Sequence, residues 1–317
     1  MGPLHVVFGA GQVGVPLALA LASRGCEVRV VSRSGAGAGT PGVVAVRADA
    51  GDPEAATAAA RGAVALYHCM NPPYSAKVWE AQLPRIAGSL LTAAGRSGAR
   101  LVVLDNVYAL GNPRGQPLDE ESRVAPCSRK GEIRARVAAQ LLDAHRAGQA
   151  KVVLGRASDF FGPGGVNSYF GPHFWKRVLA GKSAQALGDP DTAHTWHFIP
   201  DVAAGLAALG EAPEAALGRP WMLPAGPPVT TREMMVRLAA AAGRKAEVQR
   251  LPRLLLSLMA VFVPMFRELL EMDYQWDGRF EVDGRRFQER FGVAPTPLDE
   301  AVRQTAAWGM ATYGKKG

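Results

Sequence analysis

Three glycines near the start of the chain are spaced to hold a phosphate group. Gly9, Gly11 and Gly14 follow an apolar run and open an alanine- and leucine-rich stretch, with Gln12 and Val13 between them. In this context the first glycine allows a tight turn, the second lets the backbone approach a pyrophosphate, and the third allows close helix–strand packing. The amides at the start of the helix then face the pyrophosphate. The spacing therefore predicts a dinucleotide site at these five residues, the alternative being an ordinary glycine-rich turn.

The end of the next apolar run bears on which dinucleotide is bound. An NAD-specific site usually places Asp or Glu here, where it accepts a hydrogen bond from the ribose 2′-hydroxyl. The sequence instead has Ser32 and Arg33, and a guanidinium pairs well with a phosphate. We therefore predict NADP(H) rather than NAD(H) as the cofactor, unless Arg33 is only a solvated loop residue.

The ends of the third and fourth apolar runs complete the predicted cofactor site. Asp49 and Ala50 follow the third run, and Asp49 is placed to accept a hydrogen bond from the adenine amino group. Cys69, Met70 and Asn71 follow the fourth run and are expected to lie under the pyrophosphate and the nicotinamide ribose. The alternative for Asp49 is that it caps the following turn, as strand-end aspartates often do.

These residues must be positioned by strands and helices that alternate along the first half of the chain. Apolar runs predict parallel strands buried on both faces, at Leu4–Gly9, Glu27–Ser32, Val43–Ala48, Ala63–His68, Arg100–Asp105 and Lys151–Arg156. The stretches between them predict helices at Gln12–Ser23, Pro53–Ala60, Val78–Ser97 and Lys130–Ala147. Such repetition implies right-handed crossovers, so the predicted fold is α/β, a Rossmann-type doubly wound parallel sheet.

The pattern changes after the sixth predicted strand. Residues 160–193 are rich in glycine, proline and aromatic residues, which predicts loops around one helix at Phe174–Ala180. A helix at Asp201–Leu209 and a strand at Pro220–Leu223 are expected to return to the sheet, and Gly292–Gly317 to form a tail. The predicted Rossmann domain therefore comprises residues 1–163 and 195–224, and a smaller, mostly helical substrate lobe comprises residues 164–194 and 225–317.

Together the motifs resemble the short-chain dehydrogenase/reductase superfamily, in its extended, NAD-dependent epimerase/dehydratase-like branch. The resemblance covers most of the chain and rests on five segments. They are the glycine motif, Leu104–Gly111 at the end of the fifth strand, Lys130 at the start of a helix, Arg156–Pro163, and residues 197–203 with Asp201 capping a helix. The resemblance implies the fold and a nicotinamide cofactor, and it leaves the substrate open.

The catalytic residues that the resemblance implies are only partly present. Members use Ser or Thr to orient a carbonyl, Tyr to transfer a proton, and Lys to bind the ribose and lower the pKa of the Tyr. Lys130 matches the Lys, whereas Pro126 stands at the Tyr position and Asn106, five residues before Gly111, stands at the Ser position. We therefore predict Tyr108 as the replacement proton donor, Asn106 as the group that polarises a carbonyl, and Lys130 as the ribose ligand. The alternative is that Tyr108 only packs against the lobe.

Aromatic residues after the fourth and sixth strands predict the wall of a substrate pocket. The predicted substrate-binding residues are Tyr74, Phe160, Phe161, Trp175, His194 and Trp196. His194 and His197 flank Trp196, and either is a candidate acid. This composition favours a carbonyl-bearing, largely apolar small molecule, unless the aromatic residues are simply the core of the lobe.

Three functions fit these residues. The leading prediction is an NADP(H)-dependent reductase or dehydrogenase acting on a ketone, an aldehyde or a secondary alcohol. A nucleotide-sugar epimerase or dehydratase is the second, and the missing Tyr counts against it because such reactions also need proton abstraction. A catalytically silent NADP(H)-binding sensor is the third, since the positions of both the Tyr and the Ser have changed.

Composition excludes several other classes. The net charge of +8 comes from scattered arginines without interleaved aromatic residues, which argues against nucleic-acid binding. Cys26, Cys69 and Cys127 form no metal-spaced pair, so we predict no metal site and a reducing, cytoplasmic location. No signal peptide is evident. The sequence leaves open whether the protein forms a homodimer.

One apolar segment stands out near the carboxyl end. Leu254–Phe266 contains no charged residue and includes Pro264. It is too short for a transmembrane helix, which needs about 20 residues. We predict a core or pocket-lining helix, the alternative being a helix that lies in a membrane interface.

Overall fold

The computed structural model describes residues 2–37 and 42–314. Its strands are β1 (Leu4–Phe8), β2 (Glu27–Ser32), β3 (Val43–Arg47), β4 (Ala63–His68), β5 (Arg100–Asn106), β6 (Val152–Ala157), β7 (Phe160–Phe161), β8 (Ala184–Ala186), β9 (Ala193–His194), β10 (His197–Phe198), β11 (Pro220–Met222), β12 (Val229–Thr230) and β13 (Val248–Arg250). Its α-helices are α1 (Gly14–Ser23), α2 (Pro53–Ala60), α3 (Ala76–Ser97), α4 (Arg129–Arg146), α5 (Pro172–Leu179), α6 (Ile199–Glu211), α7 (Thr231–Ala241), α8 (Arg253–Phe262), α9 (Pro264–Leu270), α10 (Arg285–Phe291) and α11 (Leu298–Tyr313).

The main sheet has seven parallel strands in the order β11-β6-β5-β4-β1-β2-β3. Helices α2, α3 and α4 pack on one face and α1 and α6 on the other, so the sheet is buried on both sides. This confirms the predicted Rossmann-type α/β fold, including the return of the chain through α6 and β11. The strand order reverses between β1 and β4, and ligands of such sheets bind in the crevice at that point.

The local reasons for these elements are visible at their ends. Asp52 caps α2 by accepting hydrogen bonds from the amides of Glu54 and Ala55, and Pro53 opens the helix. The long helix α3 ends at Gly98, whose φ of 72° is the left-handed conformation that glycine adopts most readily. Each of these capping residues is adjacent to the helix end that it determines, which explains why the helix bounds can be predicted closely from the sequence.

The lobe is built from α5, α7 and α11 around an aromatic core, and the described chain also has the two-stranded sheets β7–β10, β9–β12 and β8–β13. The Pro- and Gly-punctuated tail expected at Gly292–Gly317 is wrong for Leu298–Tyr313, which forms α11, and is limited in the described chain to the short segment before it. Thr296, just before this helix, donates from its amide and its hydroxyl to the Asp201 carboxylate, at 2.8 and 2.6 Å. Long-range contacts of this kind order a segment that reads locally as a loop.

The apolar segment near the carboxyl end forms α8 and α9, which meet at Val263 and Pro264. Within the described ranges, no helix is both long enough and apolar enough to cross a membrane.

Candidate active site

The glycine motif forms a tight cradle at the end of β1. Gly9 has a φ of 116°, and a Cβ at Gly14 would lie 1.8 Å from the Gly9 carbonyl oxygen, so both positions require glycine. A Cβ at Gly11 would meet no described atom within 4 Å, so this backbone faces outward. Helix α1 follows with Val13 at its N-cap and no side-chain cap among the described residues. Its first amides are therefore available to a pyrophosphate.

A contact from the lobe reaches the outer rim of this cradle. Gln12 is half-buried, and its Oε1 accepts a hydrogen bond from the amide of Asn167 at 3.2 Å. Asn167 lies in the loop between β7 and α5, so this bond connects the cofactor side of the crevice with the lobe.

The end of β2 presents the predicted selectivity residues to solvent. Ser32 is half-buried, and its hydroxyl donates to the Ala36 carbonyl at 3.2 Å. The Arg33 side chain is exposed, while its carbonyl accepts a hydrogen bond from Arg47 Nε at 3.1 Å. The local backbone is thus held by bonds that leave the Arg33 guanidinium exposed.

Asp49 adopts the turn-capping arrangement that was the alternative to an adenine contact. Its Oδ1 accepts from the Gly51 amide at 3.0 Å, and its Oδ2 lies 3.5 Å from Arg85 Nη2. The carboxylate remains about half exposed, so these contacts leave room for a further donor. Ala50 is buried and contributes packing next to this turn.

The residues after β4 lie directly against the glycine cradle. The Cys69 amide donates to the Phe8 carbonyl at 2.9 Å, and a Cβ at Gly9 would lie 2.9 Å from the Met70 side chain. Burial raises the pKa of the Cys69 thiol to about 12, so it stays protonated and is not a nucleophile at neutral pH. The structure therefore brings Cys69 and Met70 to the cradle, as the strand order requires.

Asn71 belongs to a buried polar network that sequence reasoning missed. Its Oδ1 accepts a hydrogen bond from Arg134 Nη2 at 2.9 Å, and Arg134 also lies over the Trp79 ring at 4.7 Å. The Asp105 carboxylate lies 3.7 Å from Arg134 Nη1 and accepts from Arg156 Nε at 3.1 Å. This network ties the ends of β4, β5 and β6 to α4, which fixes the floor of the crevice.

Tyr108 lies on a short 3₁₀ turn directly after β5, at the same edge of the sheet. The Asn106 Oδ1 accepts from the Tyr108 amide at 3.1 Å, which fixes the turn and leaves the Asn106 amide hydrogens for other acceptors. The Tyr108 and Tyr74 hydroxyls are 3.4 Å apart. Burial, followed by the nearby Asp159 carboxylate, raises the pKa of Tyr108 to about 12. Tyr108 is therefore a protonated hydrogen-bond donor at neutral pH.

Lys130 is fully buried and fully bonded. Its ammonium donates to Glu268 Oε2 at 2.6 Å, to the Glu268 carbonyl at 3.0 Å, and to the Glu271 carboxylate. It also lies 4.9 Å from the centre of the Tyr74 ring. The described residues thus supply three acceptors, as many as an ammonium has N–H bonds. The predicted contact with a ribose requires that one of these acceptors be displaced.

The two glutamates also bind helix amino ends. Glu268 accepts from the Ala76 amide at the start of α3, at 3.2 Å to each oxygen, and Glu271 Oε1 accepts from the Lys130 amide in the first turn of α4 at 3.1 Å. Carboxylates are stabilised at both places by the positive ends of the helices. Sequence reasoning missed Glu268 and Glu271 because they are 138 and 141 residues from Lys130.

Most of the predicted substrate-binding aromatic residues lie in the lobe core. Trp175 is fully buried, Phe161 and Trp196 nearly so, and all three pack in the cluster around α5, α7 and α11. Phe160 is half-buried and packs on the sheet cluster. Of this set, the structure brings Tyr74 to Tyr108 and Lys130, whereas the others pack the lobe and its junction with the sheet.

The candidate acids His194 and His197 are also buried. His194 Nδ1 lies 3.1 Å from the Gln275 carbonyl, and its Nε2 lies 3.1 Å from Asp159 Oδ2. Asp159 in turn accepts from Trp276 Nε1 at 2.7 Å. Burial lowers the pKa of His197 to about 4, so His197 is neutral at pH 7. Its ring bonds to Ser158, at 3.1 Å from the amide, which indicates a packing role.

One group of potential metal ligands occurs within residues 2–37 and 42–314. His5, Cys26 and Glu211 place one ligand atom each within 4.8 Å of one another. They lie at the amino ends of β1 and β2, on the edge of the sheet opposite to Tyr108. The Glu211 carboxylate is already 3.6 Å from Arg24 Nη1, and that guanidinium repels a metal cation.

Comparison with known proteins places this geometry in context. Residues 5–222 match the model of the NAD dependent epimerase/dehydratase family. A search of curated protein sequences finds no significant match.

Solved structures with the same fold span nearly the whole chain. A double mutant of dTDP-glucose 4,6-dehydratase from Streptomyces venezuelae, with NAD bound, has 20% sequence identity and a TM-score of 0.78, over 98% of each chain. UDP-glucuronic acid 4-epimerase from Bacillus cereus, in complex with NAD, has 15% identity and a TM-score of 0.79, over 99% of each chain. UDP-glucose 4-epimerase from Thermotoga maritima, with UDP-glucose, has 17% identity and a TM-score of 0.78, over 98% of this chain and 99% of the other. At these identities the likeness establishes the fold.

Proposed function

This chain belongs to the NAD-dependent epimerase/dehydratase family, and from that membership we propose that it is an enzyme that acts on a sugar nucleotide with a nicotinamide dinucleotide. The observation that carries the substrate class is the polarity of the site. Tyr74, Tyr108 and Asn106 offer hydroxyl and amide groups at the crevice, while Trp175 and Trp196 are buried in the lobe core. The aromatic residues that favoured an apolar substrate are therefore part of the lobe core. The prediction of an apolar carbonyl substrate, which depended on them, is no longer supported.

The cofactor is proposed to lie across the ends of β1 and β4. The cradle at Gly9–Gly14 fits a pyrophosphate because the Gly11 backbone faces away from the chain and the α1 amides are free of a side-chain cap among the described residues. When bound there, the nicotinamide supplies hydride transfer to and from a carbon of the substrate. NADP(H) remains the proposed form, on the exposed Arg33 guanidinium beside Ser32 and the absence of a carboxylate at the end of β2.

Residues of the protein are proposed to carry out the proton transfer to and from the substrate oxygen. Tyr108, with its pKa raised to about 12, donates a hydrogen bond to a substrate oxygen and gives its proton to the alkoxide that forms as a carbonyl carbon receives hydride. In the opposite direction the Tyr108 phenolate takes the hydroxyl proton as hydride leaves the carbon. The Asn106 amide hydrogens polarise a carbonyl at the same edge. Lys130 holds a cofactor ribose only after it has released an acceptor on Glu268 or Glu271, so its present bonds describe a closed arrangement of the site.

The test is turnover by the Tyr108→Phe variant. Loss of a general acid–base group lowers turnover by about 10²–10⁴-fold, so we expect at least a 100-fold loss, with dinucleotide binding unchanged by calorimetry. Tyr313→Phe is the matched control, because Tyr313 packs on Trp308 far along α11 and should leave turnover unchanged. The assay follows nicotinamide absorbance and product formation with UDP- and dTDP-hexoses, and with simple aldehydes and diketones.

The outcomes separate the three functions. Turnover of a sugar nucleotide, with cofactor released only on denaturation, supports the epimerase or dehydratase proposal. Turnover of the aldehydes or diketones alone supports a reductase. Dinucleotide binding without turnover of either panel supports a silent sensor, and full activity of Tyr108→Phe removes Tyr108 from the mechanism.

A further inference from the structure

Helices α8 and α9 together with Glu271, which we call the apolar hairpin (residues 253–271), carry an unusual concentration of exposed apolar side chains. Eight large apolar residues are exposed here: Leu254, Leu255, Leu258, Met259, Val261, Phe262, Val263 and Met265. Leu254 is 73% exposed and Phe262 85%. The other seven exposed large apolar residues of the described chain are scattered singly. A contiguous apolar patch of this kind marks an interaction surface, whereas single residues do not.

The hairpin contacts its own protein along a narrow stripe. In α8 only Leu256 and Ala260 are buried, one turn apart, and in α9 no residue is buried. At 3.6 residues per turn, the exposed apolar residues of α8 cover an arc of about 160°. So wide an apolar arc is what a helix presents when it lies partly immersed in hydrocarbon.

The charge around the hairpin identifies the kind of surface that would cover it. Residues 244–253, which lead into the hairpin, contain four cations (Arg244, Lys245, Arg250 and Arg253) and one carboxylate, Glu247, and Arg267 is a fifth cation. The carboxylates that follow, Glu268 and Glu271, bond to Lys130. All five cationic side chains are exposed, although Arg250 pairs with Asp277 and Arg253 with Asp273. An anionic lipid surface attracts such a segment by about 1 kcal/mol per basic residue.

A second copy of the chain fits this charge less well. A twofold interface would place the same basic segment of each copy against the other, because such interfaces use one patch on both subunits. Like charges would then meet around the apolar contact. The uncharged run of 13 residues, 254–266, is in turn too short to cross a bilayer. A helix lying in the interface plane satisfies both the apolar arc and the charge.

We propose that the apolar hairpin docks this protein on the surface of a bilayer that contains anionic lipids. Helix α8 lies in the plane of the interface, with Leu254, Leu258 and Phe262 in the hydrocarbon and the arginines at the headgroups. Because Glu268 and Glu271 on the same hairpin bond to Lys130, docking places the crevice next to the membrane. The proposal does not depend on which substrate the site binds.

The test is vesicle flotation of the full chain with defined lipids. We expect binding to vesicles of phosphatidylcholine with about one third phosphatidylglycerol, weak binding to phosphatidylcholine alone, and release by salt. The Leu258→Ser/Phe262→Ser variant should lose at least tenfold in partitioning, since both side chains are highly exposed and leave water only on docking. Val124→Ser/Val236→Ser is the matched control, because these residues are exposed singly elsewhere and should leave partitioning unchanged.

Two further measurements make the result decisive. The unfolding temperature of Leu258→Ser/Phe262→Ser should equal that of the wild type, since the exposed side chains add little to the folded core. Absence of binding to the anionic vesicles overturns the proposal. It is equally overturned if analytical ultracentrifugation shows a dimer that the hairpin variant dissociates while vesicle binding is unaffected.

Discussion

Two regions at the same edge of the sheet present helix amino ends, and the chain treats them differently. At Gly9–Gly14 no side chain among the described residues caps the start of α1, and a Cβ at Gly11 would meet no described atom within 4 Å. At the other region, the amino ends of α3 and α4 and the ammonium of Lys130 are bonded by Glu268 and Glu271. We call these regions the open cradle and the closed cluster.

The difference shows how one edge can hold a ligand site and a structural lock. The open cradle is made by residues that follow each other in the chain, so its geometry exists as soon as β1 and α1 form. The closed cluster depends on the apolar hairpin, which must reach across the crevice to supply its carboxylates. The cradle is ready for an anion, whereas the cluster must open before Lys130 can bind one.

The largest expected effect is on the closed cluster. Lys130→Met leaves two carboxylates, 19% and 25% exposed, facing each other without the ammonium. Breaking a buried pair costs about 3–5 kcal/mol, and the residual exposure of the glutamates favours the lower end. Urea unfolding should therefore show a loss of about 3 kcal/mol. Lys151→Met is the control, because the Lys151–Glu214 pair is exposed to solvent and should contribute little to stability.

Equal losses in the two lysine variants would remove the distinction between a buried cluster and a surface pair. The triple variant Lys130→Met/Glu268→Gln/Glu271→Gln sharpens the test, because it removes the unpaired charges together. It should recover part of the stability that Lys130→Met loses.

Acid should weaken the fold through buried neutral histidines, one beside the open cradle and one on the substrate side of the crevice. Burial lowers the pKa of His68, beside the open cradle, to about 3, and the pKa of His197, on the substrate side, to about 4. Between these values and 6.5 the unfolded chain binds protons that the folded chain does not, so stability falls as the pH falls through this window. His197 alone accounts for about 3 kcal/mol.

The measurement is the free energy of unfolding at pH 7 and pH 4. His197→Gln should show a smaller loss than the wild type between these two values. His173→Gln should show the wild-type loss, because the His173–Gln185 contact is exposed. A loss that is unchanged in His197→Gln would contradict a neutral buried ring.

The smallest expected effect concerns cofactor selectivity in the open cradle. Arg33→Ala should raise the dissociation constant of NADPH by about tenfold or more and leave that of NADH unchanged, because a hydrogen bond to a charged group contributes about 1.5–3 kcal/mol. Arg146→Ala, an exposed arginine at the end of α4, is the control. Equally weaker binding of NADPH and NADH would mean that Arg33 attracts both dinucleotides by its charge alone. Unchanged binding of both would mean that Arg33 does not determine the cofactor selectivity.

The open cradle could be predicted from the sequence, whereas the closed cluster could not. The strands and the glycine cradle follow from apolar runs and from spacing within a few residues, and the structure places β1 to β6 within two residues of the predicted bounds. Glu268 and Glu271 carry no local signal, since only the folded hairpin brings them to Lys130. The burial of Trp175 and Trp196 was not predictable either, because aromatic composition alone does not distinguish a pocket wall from a core.

The tail illustrates the same limit. Residues 292–297 contain the glycine and prolines that suggested an irregular end, yet Leu298–Tyr313 forms α11. Its apolar face is buried against α5 and α7, including Ala301, Val302 and Ala306. The glycine and prolines before Leu298 do interrupt the helical structure, but the prediction that the tail continues beyond them was wrong.

Calorimetric titration of the wild type and of Gly11→Val with NADPH and NADH shows whether the open cradle binds the pyrophosphate of a nicotinamide dinucleotide. A side chain at Gly11 meets no described atom of the protein, so Gly11→Val should unfold like the wild type but show no heat of binding, while the wild type binds one dinucleotide per chain. No heat with the wild type, or equal heat with both proteins, would contradict the account.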